Sequence, residues 1–592
     1  MSVNSIREDE QVREVSKRDT LVRLYSYLFL HKKKLAIVAA LVLVTLSVTL
    51  TMPLLIERAV DVHVAQRDTE GLLKLALFAV VLLLISRICT RKWMRLMADI
   101  TNQVLLTIRS QLYAHLQTLS LHFYDSRPTG KILARVVGDP QSLKDVLSDS
   151  VTKLVPDLLT IIGVASIMLA KNWKLAMAAL LTVPVLAVGM FAIQIPAHKL
   201  WQIHRKKNSN LNAFIHEAFS GIRIIQSFAA EEEKQSDFDL CAEEYRKSFV
   251  TAVRIGDLFS ALVEVTWGLG GFLLYFIGIR IVGAEHVGIG TFLAFSTYLG
   301  MFWSPIRNLA SFYNKIVTNI SAAERIFDIL DTPAEITDQP GCSELPKVRG
   351  MVEFDHVTFA YPDAPDQPVL EDVSFKVNPG ETIALVGPTG AGKTTIVNLV
   401  GRFYDVSKGH IRIDGMETRE VSLASLRRQL GVMTQDTFLF SGTVRENLCY
   451  GRMDATEEEM IAAARAVNAH DFIMAMEKGY DTQISERSSQ ISIGQRQLLA
   501  FARTMVSDPG ILILDEATSS IDTHTERLVQ AGIAAMLKNR TSFIIAHRLS
   551  TIRSADRIFY IDDQKIVEAG SHEELMAKKG AYYKLYQSQF ER

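Results

Sequence analysis

Residues 387–394 read Gly-Pro-Thr-Gly-Ala-Gly-Lys-Thr, which is a complete G-x-x-x-x-G-K-[ST] phosphate-binding loop. An apolar run at 382–386 precedes the loop, and a run compatible with a helix follows it at 396–400. Glycines let the backbone curl so that its N–H groups face a polyphosphate, and the helix N-terminus adds its positive end. Because strand, loop and helix come in this order, a plain glycine-rich turn is the weaker interpretation. The stretch predicts a nucleoside triphosphate site.

The loop also assigns two individual roles. The ammonium group of Lys393 is expected to reach the β- and γ-phosphates, and the hydroxyl of Thr394 is expected to bind Mg²⁺. The residues predicted to contact ATP in and beside this loop are Gly387, Pro388, Thr389, Gly390, Ala391, Gly392, Lys393, Thr394 and Thr395.

Composition divides the chain into two parts and argues against several protein classes. A chain of 592 residues is too long for one core, and its apolar excess lies almost entirely before residue 320. The net charge of −1 gives no support for nucleic-acid binding. The four scattered cysteines predict neither a disulfide framework nor a zinc site. The polar N-terminal segment, 1–20, does not have the pattern of a cleaved signal peptide.

Six stretches of the first part are long and apolar enough to be membrane spans. A helix needs about 20 apolar residues to cross the hydrocarbon core of a bilayer. The gaps after the second and fourth stretches are long and keep a helical periodicity, which predicts helices that continue out of the membrane. The six stretches are residues 35–56, 72–90, 151–171, 174–195, 258–283 and 288–305.

The distribution of basic residues predicts the orientation of these spans. Lysines and arginines gather before the first span, at 13–34, and in the second long gap, at 199–254. The short loops on the other side carry little beyond Arg67 and Lys171. By the positive-inside rule, the termini and the long gaps are cytoplasmic. We therefore expect a multi-pass protein of the cytoplasmic membrane, with its nucleotide site where ATP is.

Two stretches of the long gaps could be more than connectors. Residues 123–130 form a turn signal, and a short amphipathic helix is predicted after it, at 131–135. The second stretch is 216–223. From composition alone, a simple connecting role is as well supported for both stretches as a functional one.

The second part of the chain has the pattern of a nucleotide-binding domain. After a predicted linker, short strands alternate with helices from residue 352 onward, as in a P-loop α/β domain with an added antiparallel part. The apolar strand 511–514 ends in Asp515 and Glu516. Two acids can open a helix as N-terminal charges. Downstream of a phosphate-binding loop, however, they favour a Mg²⁺ ligand at Asp515 and a water-polarising carboxylate at Glu516.

Together these motifs resemble those of the ATP-binding cassette (ABC) transporters. The similarity is to the bacterial exporter type, in which a membrane domain and a nucleotide domain are fused as a half-transporter. Gln435 is similar to the family's Q-loop, and Ile-Ser-Ile-Gly-Gln-Arg-Gln at 491–497 resembles its signature. Ser-Ser-Ile-Asp at 519–522 resembles the D-loop, His547 the switch histidine, and Tyr361 the aromatic residue that stacks on adenine. The resemblance extends over nearly the whole chain.

The resemblance implies a fold and a function. The fold is a membrane α-helical bundle of six transmembrane helices fused to an α/β P-loop nucleotide-binding domain. The expected function is ATP-driven export of a hydrophobic or amphiphilic substrate, which could be a drug, a lipid or a peptide. The expected segments are an N-terminal cytoplasmic segment at 1–20, a transmembrane domain with long cytoplasmic helical extensions at 21–320, a linker at 321–350 and the nucleotide-binding domain at 351–592.

The resemblance also implies a mechanism. Two nucleotide domains would meet head to tail, with ATP between the phosphate-binding loop of one and the signature of the other. One set of motifs per chain means that a second half-transporter is required. Glu516 would act on water, His547 would hold the γ-phosphate and that water, and Gln435 would bind Mg²⁺ and link the site to the membrane domain. The further residues expected to contact the nucleotide are Ser492, Gly494, Gln495 and Asp522.

The same resemblance gives a role to two cytoplasmic segments. Short helices at about 125–135 and 209–219 would be coupling helices that dock onto the nucleotide domains. This expectation adds to the pattern found in the long gaps, where the residues alone left a connecting role open.

The chain departs from the family pattern at its signature. Ile493 stands where the signature usually has its first glycine, and Ser488 replaces another glycine. A β-branched residue lacks the backbone freedom of glycine beside a phosphate. Since Lys393 and Glu516 are present, the pattern favours one subunit of a heterodimer with a weakened second ATP site. A homodimer, in which Ile493 is tolerated drift, remains the alternative.

Other functional classes fit the sequence less well. A soluble ABC-type ATPase would lack the six apolar spans, and fused six-span halves with long cytoplasmic helices resemble exporters more than importers. An ABC-type gated channel or a regulatory subunit with weak turnover stays open as the alternative function. Glu264, in or near the fifth span, could attract a cationic amphiphile or pair with a basic neighbour at the helix end.

Overall fold

The computed structural model describes residues 17–283, 288–434, 437–485, 491–515, 523–546 and 549–590. Within these ranges the chain forms two compact units. The helical unit contains the chain up to residue 116 together with 130–332. The sheet unit contains residues 117–129 together with the chain from 333 onward. A short segment between two long helices of the first unit, 117–129, therefore belongs to the second.

Most of the helical unit consists of long α-helices, with two short ones, α7 and α9, between them, and the short helix α4 lies in the segment that belongs to the sheet unit. Single π-helical turns follow α2, precede α6 and follow α10, at Ala59–Val64, Ser150–Leu154 and Gly278–Gly283. The α-helices are α1 (Lys17–Phe29), α2 (Lys32–Arg58), α3 (Thr69–Leu116), α4 (Leu121–Asp125), α5 (Thr129–Asp149), α6 (Val155–Lys171), α7 (Trp173–Leu180), α8 (Thr182–Ser220), α9 (Ile222–Ser227), α10 (Glu231–Ile277) and α11 (Ile289–Asp331).

Within the described residues, five helical stretches are long and apolar enough to cross a membrane. They are Lys32–Val64, Thr69–Leu116, Thr129–Lys171, Trp173–Ser220 and Glu231–Arg280. The most apolar part of α3 has no residue buried by the protein itself, as expected of a surface that faces lipid. The sixth predicted span, 288–305, lies at the start of α11, where glycine, serine and threonine dilute the apolar residues.

The continuity of the long helices confirms one prediction from the sequence. At a rise of 1.5 Å per residue, the 48-residue α3 runs for about 70 Å, far more than the roughly 30 Å of hydrocarbon in a bilayer. The 47-residue α10 and the 39-residue α8 are also longer than a bilayer requires, and they pack against each other. The long gaps in the sequence are thus extensions of helices.

Two apolar clusters hold the helical unit together. One joins α3 to α5 through fully buried side chains such as Ile108 and Leu143. The other joins α6, α7 and α11, with Met168, Leu175 and Phe295 at its centre. Each cluster unites helices that are distant in sequence, so the helix faces, more than the loops, determine the packing.

The sheet unit contains a mostly parallel sheet and an antiparallel one. The strands are β1 (Val352–Phe359), β2 (Leu370–Val377), β3 (Thr382–Val386), β4 (Lys408–Ile413), β5 (Met416–Glu417), β6 (Leu430–Met433), β7 (Gly442–Thr443), β8 (Gln483–Ile484), β9 (Ile511–Asp515), β10 (Thr541–Ile545), β11 (Arg557–Asp562) and β12 (Lys565–Gly570). The remaining helices are α12 (Lys393–Val400), α13 (Leu423–Arg428), α14 (Val444–Cys449), α15 (Glu457–Ala466), α16 (His470–Met474), α17 (Ile493–Ser507), α18 (Thr523–Leu537), α19 (Leu549–Ser554), α20 (His572–Lys578) and α21 (Ala581–Phe590).

The order and direction of the strands determine where a ligand can bind to the sheet unit. The six-stranded sheet has the order β12-β11-β3-β10-β9-β6, and every pair in it is parallel except β11 with β12. The antiparallel sheet has the order β2-β1-β4-β5. In a parallel sheet of this kind, ligands bind at the carboxyl ends of the strands. The predicted P-loop α/β domain with an added antiparallel part is therefore confirmed.

Three segment boundaries differ from those predicted. The linker expected at 321–350 begins inside α11, which continues through Asp331. The short helix expected at 131–135 is the first part of α5, which passes through Gly138 and Pro140 because Leu143 and Leu147 are buried in the core. The predicted coupling helix at about 125–135 is therefore wrong, and the short helix of this segment is α4.

The second coupling helix, expected at 209–219, is also wrong as a separate element. These residues lie inside α8, which runs without a break to Ser220 and ends at Gly221. The sequence between residues 197 and 220 contains neither glycine nor proline, so nothing interrupts the helix there. The short helix of this region is α9, one turn further along the chain.

Candidate functional site

The phosphate-binding loop leaves the carboxyl end of β3 and enters α12. Gly387 has a φ of 153°, and a side chain at this position would collide with the carbonyl oxygen of Ile561. Gly392, the residue before α12, has a φ of 99°. Both conformations are ones that residues other than glycine adopt rarely. The two glycines are thus required by backbone geometry as well as by close approach.

Lys393 lies folded into the loop. Its side chain is 8% exposed, and its ammonium group donates hydrogen bonds to the carbonyl oxygens of Gly387 and Pro388, both at 2.8 Å. Burial lowers the pKa of Lys393, and the nearby carboxylate of Asp515 opposes that change by raising it. The fold therefore brings the loop lysine and the strand acid together, although 121 positions lie between them.

The strand ends beside the loop are level with each other. Leu385 of β3 pairs with Ile545 of β10, which in turn pairs with Asp515 of β9, and Met433 of β6 pairs with Leu514. Four predicted site residues that follow these strands, namely Gln435, Glu516, Asp522 and His547, lie outside the described residues. Asp515 is thus the one acid predicted for the site at the end of β9 that lies within the described residues.

The two threonines after Lys393 face different surroundings. Thr394 is exposed in the first turn of α12, where its hydroxyl can bind a ligand. Thr395 is buried, and its hydroxyl lies 3.0 Å from the phenol oxygen of Tyr361. The loop helix is therefore joined directly to the predicted adenine-binding residue.

A cavity of about 660 Å³ extends from the loop to this tyrosine. Its walls come from Tyr361 and the segment after it, from loop residues 388–391, and from the turn between β11 and β12 at 562–564. Pro388, Thr389, Gly390 and Ala391 line it as the sequence led us to expect. Asp562 and Asp563 also line the cavity, but a short hairpin turn has no sequence signal that would predict nucleotide binding.

The signature segment begins a helix. Ser492 precedes α17, and its hydroxyl accepts a hydrogen bond from the backbone N–H of Gln495 at 3.2 Å, while the Gln495 side chain accepts one from the N–H of Ser492 at 3.0 Å. This capping box fixes the first turn of the helix. Gly494 is buried in the same turn.

The conformation of Ile493 revises the argument about the altered signature. Ile493 is the first residue of α17 and is not among the described residues with positive φ. Its backbone therefore does not need the freedom of glycine. Its side chain is 48% exposed. Any effect of the isoleucine on a partner's nucleotide is thus steric and comes from the side chain. Ser488 lies outside the described residues.

Segment 117–129 is anchored to the same unit by polar contacts that the sequence did not reveal. Tyr404 donates a hydrogen bond from its hydroxyl to Asp125 Oδ2 at 2.6 Å. Ser120 donates to Glu335 at 2.8 Å, and His122 Nε2 lies 3.5 Å from a carboxylate oxygen of Asp363. Helix α4 is therefore held on the nucleotide-binding unit of its own chain.

Tyr404 connects α4 to the nucleotide cavity. Its ring, 5% exposed, packs edge-to-face with that of Tyr361 at 5.2 Å between centroids and with that of Phe359 at 5.7 Å. Burial raises the pKa of Tyr404, and the hydrogen bond to Asp125 raises it further, so the phenol stays protonated. A contact path thus runs from Tyr361 through Tyr404 to Asp125. Tyr404 lacks any sequence signal, because its partner is 279 residues away.

Comparisons with known proteins extend over both units. Residues 35–306 match the family model described as the ABC transporter transmembrane region, and residues 370–519 match the model described as ABC transporter. The chain is 40% identical to the uncharacterized ABC transporter ATP-binding protein YknV of Bacillus subtilis (strain 168), over 96% of this chain and 94% of YknV. It is 37% identical to the ATP-dependent lipid A-core flippase of Syntrophus aciditrophicus (strain SB), over 97% of this chain and 95% of the flippase.

One solved structure is similar to this chain over nearly its whole length. The structure of a bacterial Atm1-family ABC exporter with ATP bound superposes with a TM-score of 0.76 and is 28% identical in sequence. The match covers 94% of this chain and 98% of that one. Both matched regions therefore occur together in one known fold.

Proposed function

Because this chain belongs to the ABC transporter family, we propose that it is a half-transporter that exports a hydrophobic or amphiphilic substrate across the cytoplasmic membrane. Its ATP-binding region makes it an ATP hydrolase whose turnover is coupled to transport. Its transmembrane region makes it a multi-pass membrane protein. A relative that is named a lipid A-core flippase and a solved relative that is named an exporter support the direction of transport.

The observation that carries the proposal is the meeting of Lys393 and Asp515 at the carboxyl edge of the parallel sheet, beside a cavity that Tyr361 lines. The cavity is lined by Tyr361, whose ring could stack on a base, and by loop residues 388–391, where phosphates would bind. The same chain carries five described helical stretches apolar enough to cross a membrane. Energy from ATP and a path through the bilayer are thus combined in one polypeptide.

The residues of the loop fit a magnesium-bound triphosphate. Thr394 offers an exposed hydroxyl and Asp515 a carboxylate, which are the oxygen donors that Mg²⁺ prefers, and Gln435 would add a third. Mg²⁺, when bound, would neutralise charge on the phosphates. Lys393 would exchange its two carbonyl partners for phosphate oxygens, since a charged acceptor binds an ammonium group more strongly than a carbonyl does.

Hydrolysis would require groups from two chains. Glu516 would accept the proton of the attacking water, and His547 would hold the γ-phosphate and the water in line. Ser492, Gly494 and Gln495 of the partner's signature would close over the γ-phosphate, with the backbone N–H groups at the start of α17 as donors. A heterodimer is favoured, because the exposed side chain of Ile493 would lie where the usual signature presents bare backbone.

Coupling to the membrane domain would run through segment 117–129. The anchoring of α4 by Tyr404 and Ser120 supports this role, since the segment is continuous in sequence with α3 and α5 of the helical unit. The termini and the nucleotide-binding unit would be cytoplasmic, as the basic residues at 13–34 and 199–254 indicate.

The variant Glu516→Gln tests the proposal. It should keep ATP binding and lower hydrolysis by about two orders of magnitude or more, because an amide has the shape of the carboxylate but cannot accept the proton. The transporter would be reconstituted in liposomes with its partner, and phosphate release would be measured beside Glu458→Gln, an exposed acid of α15, as the control. Hydrolysis at the wild-type rate in Glu516→Gln would contradict the role. ATP-dependent accumulation of substrate against a gradient would separate an exporter from a gated channel.

A further inference from the structure

A small polar cavity lies inside the helical unit, far in sequence from the nucleotide motifs. Its volume is about 230 Å³, and it is enclosed by the start of α6, the π-helical turn before it, and α11. Its polar walls are Asp149, Lys153, Asp157, Asn308 and Lys315, and Phe312 closes one side. A single π-turn inserted before a helix redirects side chains and is frequent at functional sites. The third membrane span begins at this point.

Three of the charged groups neutralise one another in part. Lys153 lies 2.9 Å from one carboxylate oxygen of Asp149, and Lys315 lies 2.6 Å from the other. Both oxygens of Asp149 are therefore occupied, and the three groups together carry one net positive charge. The lysine side chains remain about half exposed, at 55% and 44%, so this charge is open to a ligand.

The fourth charged group, the carboxylate of Asp157, has no ion-pair partner of this kind in the described part of the chain. Asp157 accepts a hydrogen bond from the side chain of Asn308. Its other oxygen, Oδ2, is buried and has no hydrogen-bond partner among the described residues. A carboxylate within a membrane helix is costly unless something pairs with it, and such residues usually face a substrate or ion pathway. The cavity therefore has one acceptor that the protein itself leaves unused.

We propose that this cavity binds the headgroup of a zwitterionic amphiphile, with a primary ammonium group on Asp157 and a phosphate or carboxylate on Lys153 and Lys315. The four protein charges sum to zero, which matches a ligand that carries one positive and one negative charge. The volume is below the roughly 300 Å³ at which pockets for whole drug-sized ligands begin, so it holds a headgroup and leaves the apolar chain outside. The inference rests on the proposed export function and names the class of its substrate.

The binding of two short-chain probes tests the site. Dodecylphosphoethanolamine has a primary ammonium group, whereas dodecylphosphocholine has the same phosphate and chain but a cation without N–H donors. Radiolabelled probe would be bound to the full-length transporter in lipid nanodiscs, with empty nanodiscs as the blank. We expect the wild type to prefer the ethanolamine probe by about tenfold, because a charge-assisted hydrogen bond to a buried carboxylate is lost with choline.

Asp157→Asn should remove this preference, lowering affinity for the ethanolamine probe by about tenfold and that for the choline probe by less, because choline loses charge attraction but no hydrogen bond. Asp257→Asn is the matched control, since Asp257 is an exposed acid of α10 that does not line the cavity. Lys153→Gln, which alters an exposed side chain with little risk to folding, should weaken both probes alike by about threefold.

The outcomes separate this site from the transport function. Equal binding of both probes by the wild type, or unchanged ethanolamine binding in Asp157→Asn, would overturn the assignment. Unchanged binding in Lys153→Gln would overturn it even where Asp157→Asn does not fold. If the wild type shows the expected preference but does not accumulate the probe with ATP, the headgroup site stands and the export function fails.

Discussion

The contact between Tyr404 and Asp125 provides the sharpest test of how the nucleotide site is joined to segment 117–129. Tyr404→Phe keeps the ring and its packing against Tyr361 and Phe359, and removes only the hydroxyl that donates to Asp125 at 2.6 Å. A hydrogen bond to a charged group contributes about 1.5–3 kcal/mol. Because Asp125 is exposed and can be rehydrated, the lower end applies, about 1.5 kcal/mol.

This loss should appear as local opening of α4. A change of about 1.4 kcal/mol is a factor of about ten in an opening equilibrium, so amide hydrogen exchange in 121–125 should accelerate about tenfold. The measurement is hydrogen exchange by mass spectrometry on the reconstituted transporter. Tyr361→Phe is the matched control, because its hydroxyl contacts Thr395 and not α4.

A double variant makes the test stricter. Asp125→Ala should accelerate exchange to a similar extent, and Tyr404→Phe combined with Asp125→Ala should add little, since both changes remove the same hydrogen bond. Exchange that is unchanged in Tyr404→Phe, or that rises equally in Tyr361→Phe, would refute the reasoning. Basal ATP hydrolysis should stay within about twofold of wild type, because no proposed contact to the phosphates is altered.

Three further predictions concern the nucleotide itself. Lys393→Ala should abolish ATP binding at this loop, because the phosphate charge loses its buried ammonium partner, and undiminished labelling by a photoreactive ATP analogue would contradict the assignment. Tyr361→Ala should raise the KM for ATP by about tenfold through loss of base stacking, while Tyr361→Phe should leave it nearly unchanged. Ile493→Gly should raise the ATPase activity of the chain expressed alone, by about threefold or more if the side chain keeps the γ-phosphate from the N–H groups of α17. Ile493→Ala should do the same, because the helical backbone needs no glycine, and robust activity of the unaltered chain would instead indicate a working homodimer.

The predicted and observed structures differ most at the ends of helices. The periodicity of the long gaps correctly predicted helices, but the short elements at 131–135 and 209–219 were wrong. Gly138 and Pro140 would stop a helix in isolation, yet α5 continues because Leu143 and Leu147 are buried in an apolar cluster with residues of other helices. Boundaries are decided by packing against distant residues, which the local sequence does not encode.

In the nucleotide site, too, some features could be predicted from the sequence and others could not. The positions of Gly387 and Gly392 could be predicted, since a phosphate-binding loop imposes backbone conformations that only glycine adopts readily. The signature motif predicts that Ile493 disturbs the backbone, whereas in the structure Ile493 begins α17 without a positive φ, so that only its side chain can interfere. Whether a residue needs the freedom of glycine depends on its φ, which the signature motif alone does not reveal.

By itself, the sequence determined that this protein has an apolar helical part and a phosphate-binding α/β part, because hydrophobic runs and loop geometry are local properties of consecutive residues. Only the tertiary structure decided which distant groups meet: Lys393 with Asp515, Tyr404 with Asp125, and Asp157 with Asn308. Each of these pairs joins polar residues that are more than a hundred positions apart. Taken alone, each of their side chains looks like that of an ordinary polar residue of the protein surface. Burial makes these contacts important, because a charge or a phenol that is removed from water needs a polar partner. Only the folded chain shows which residue is that partner.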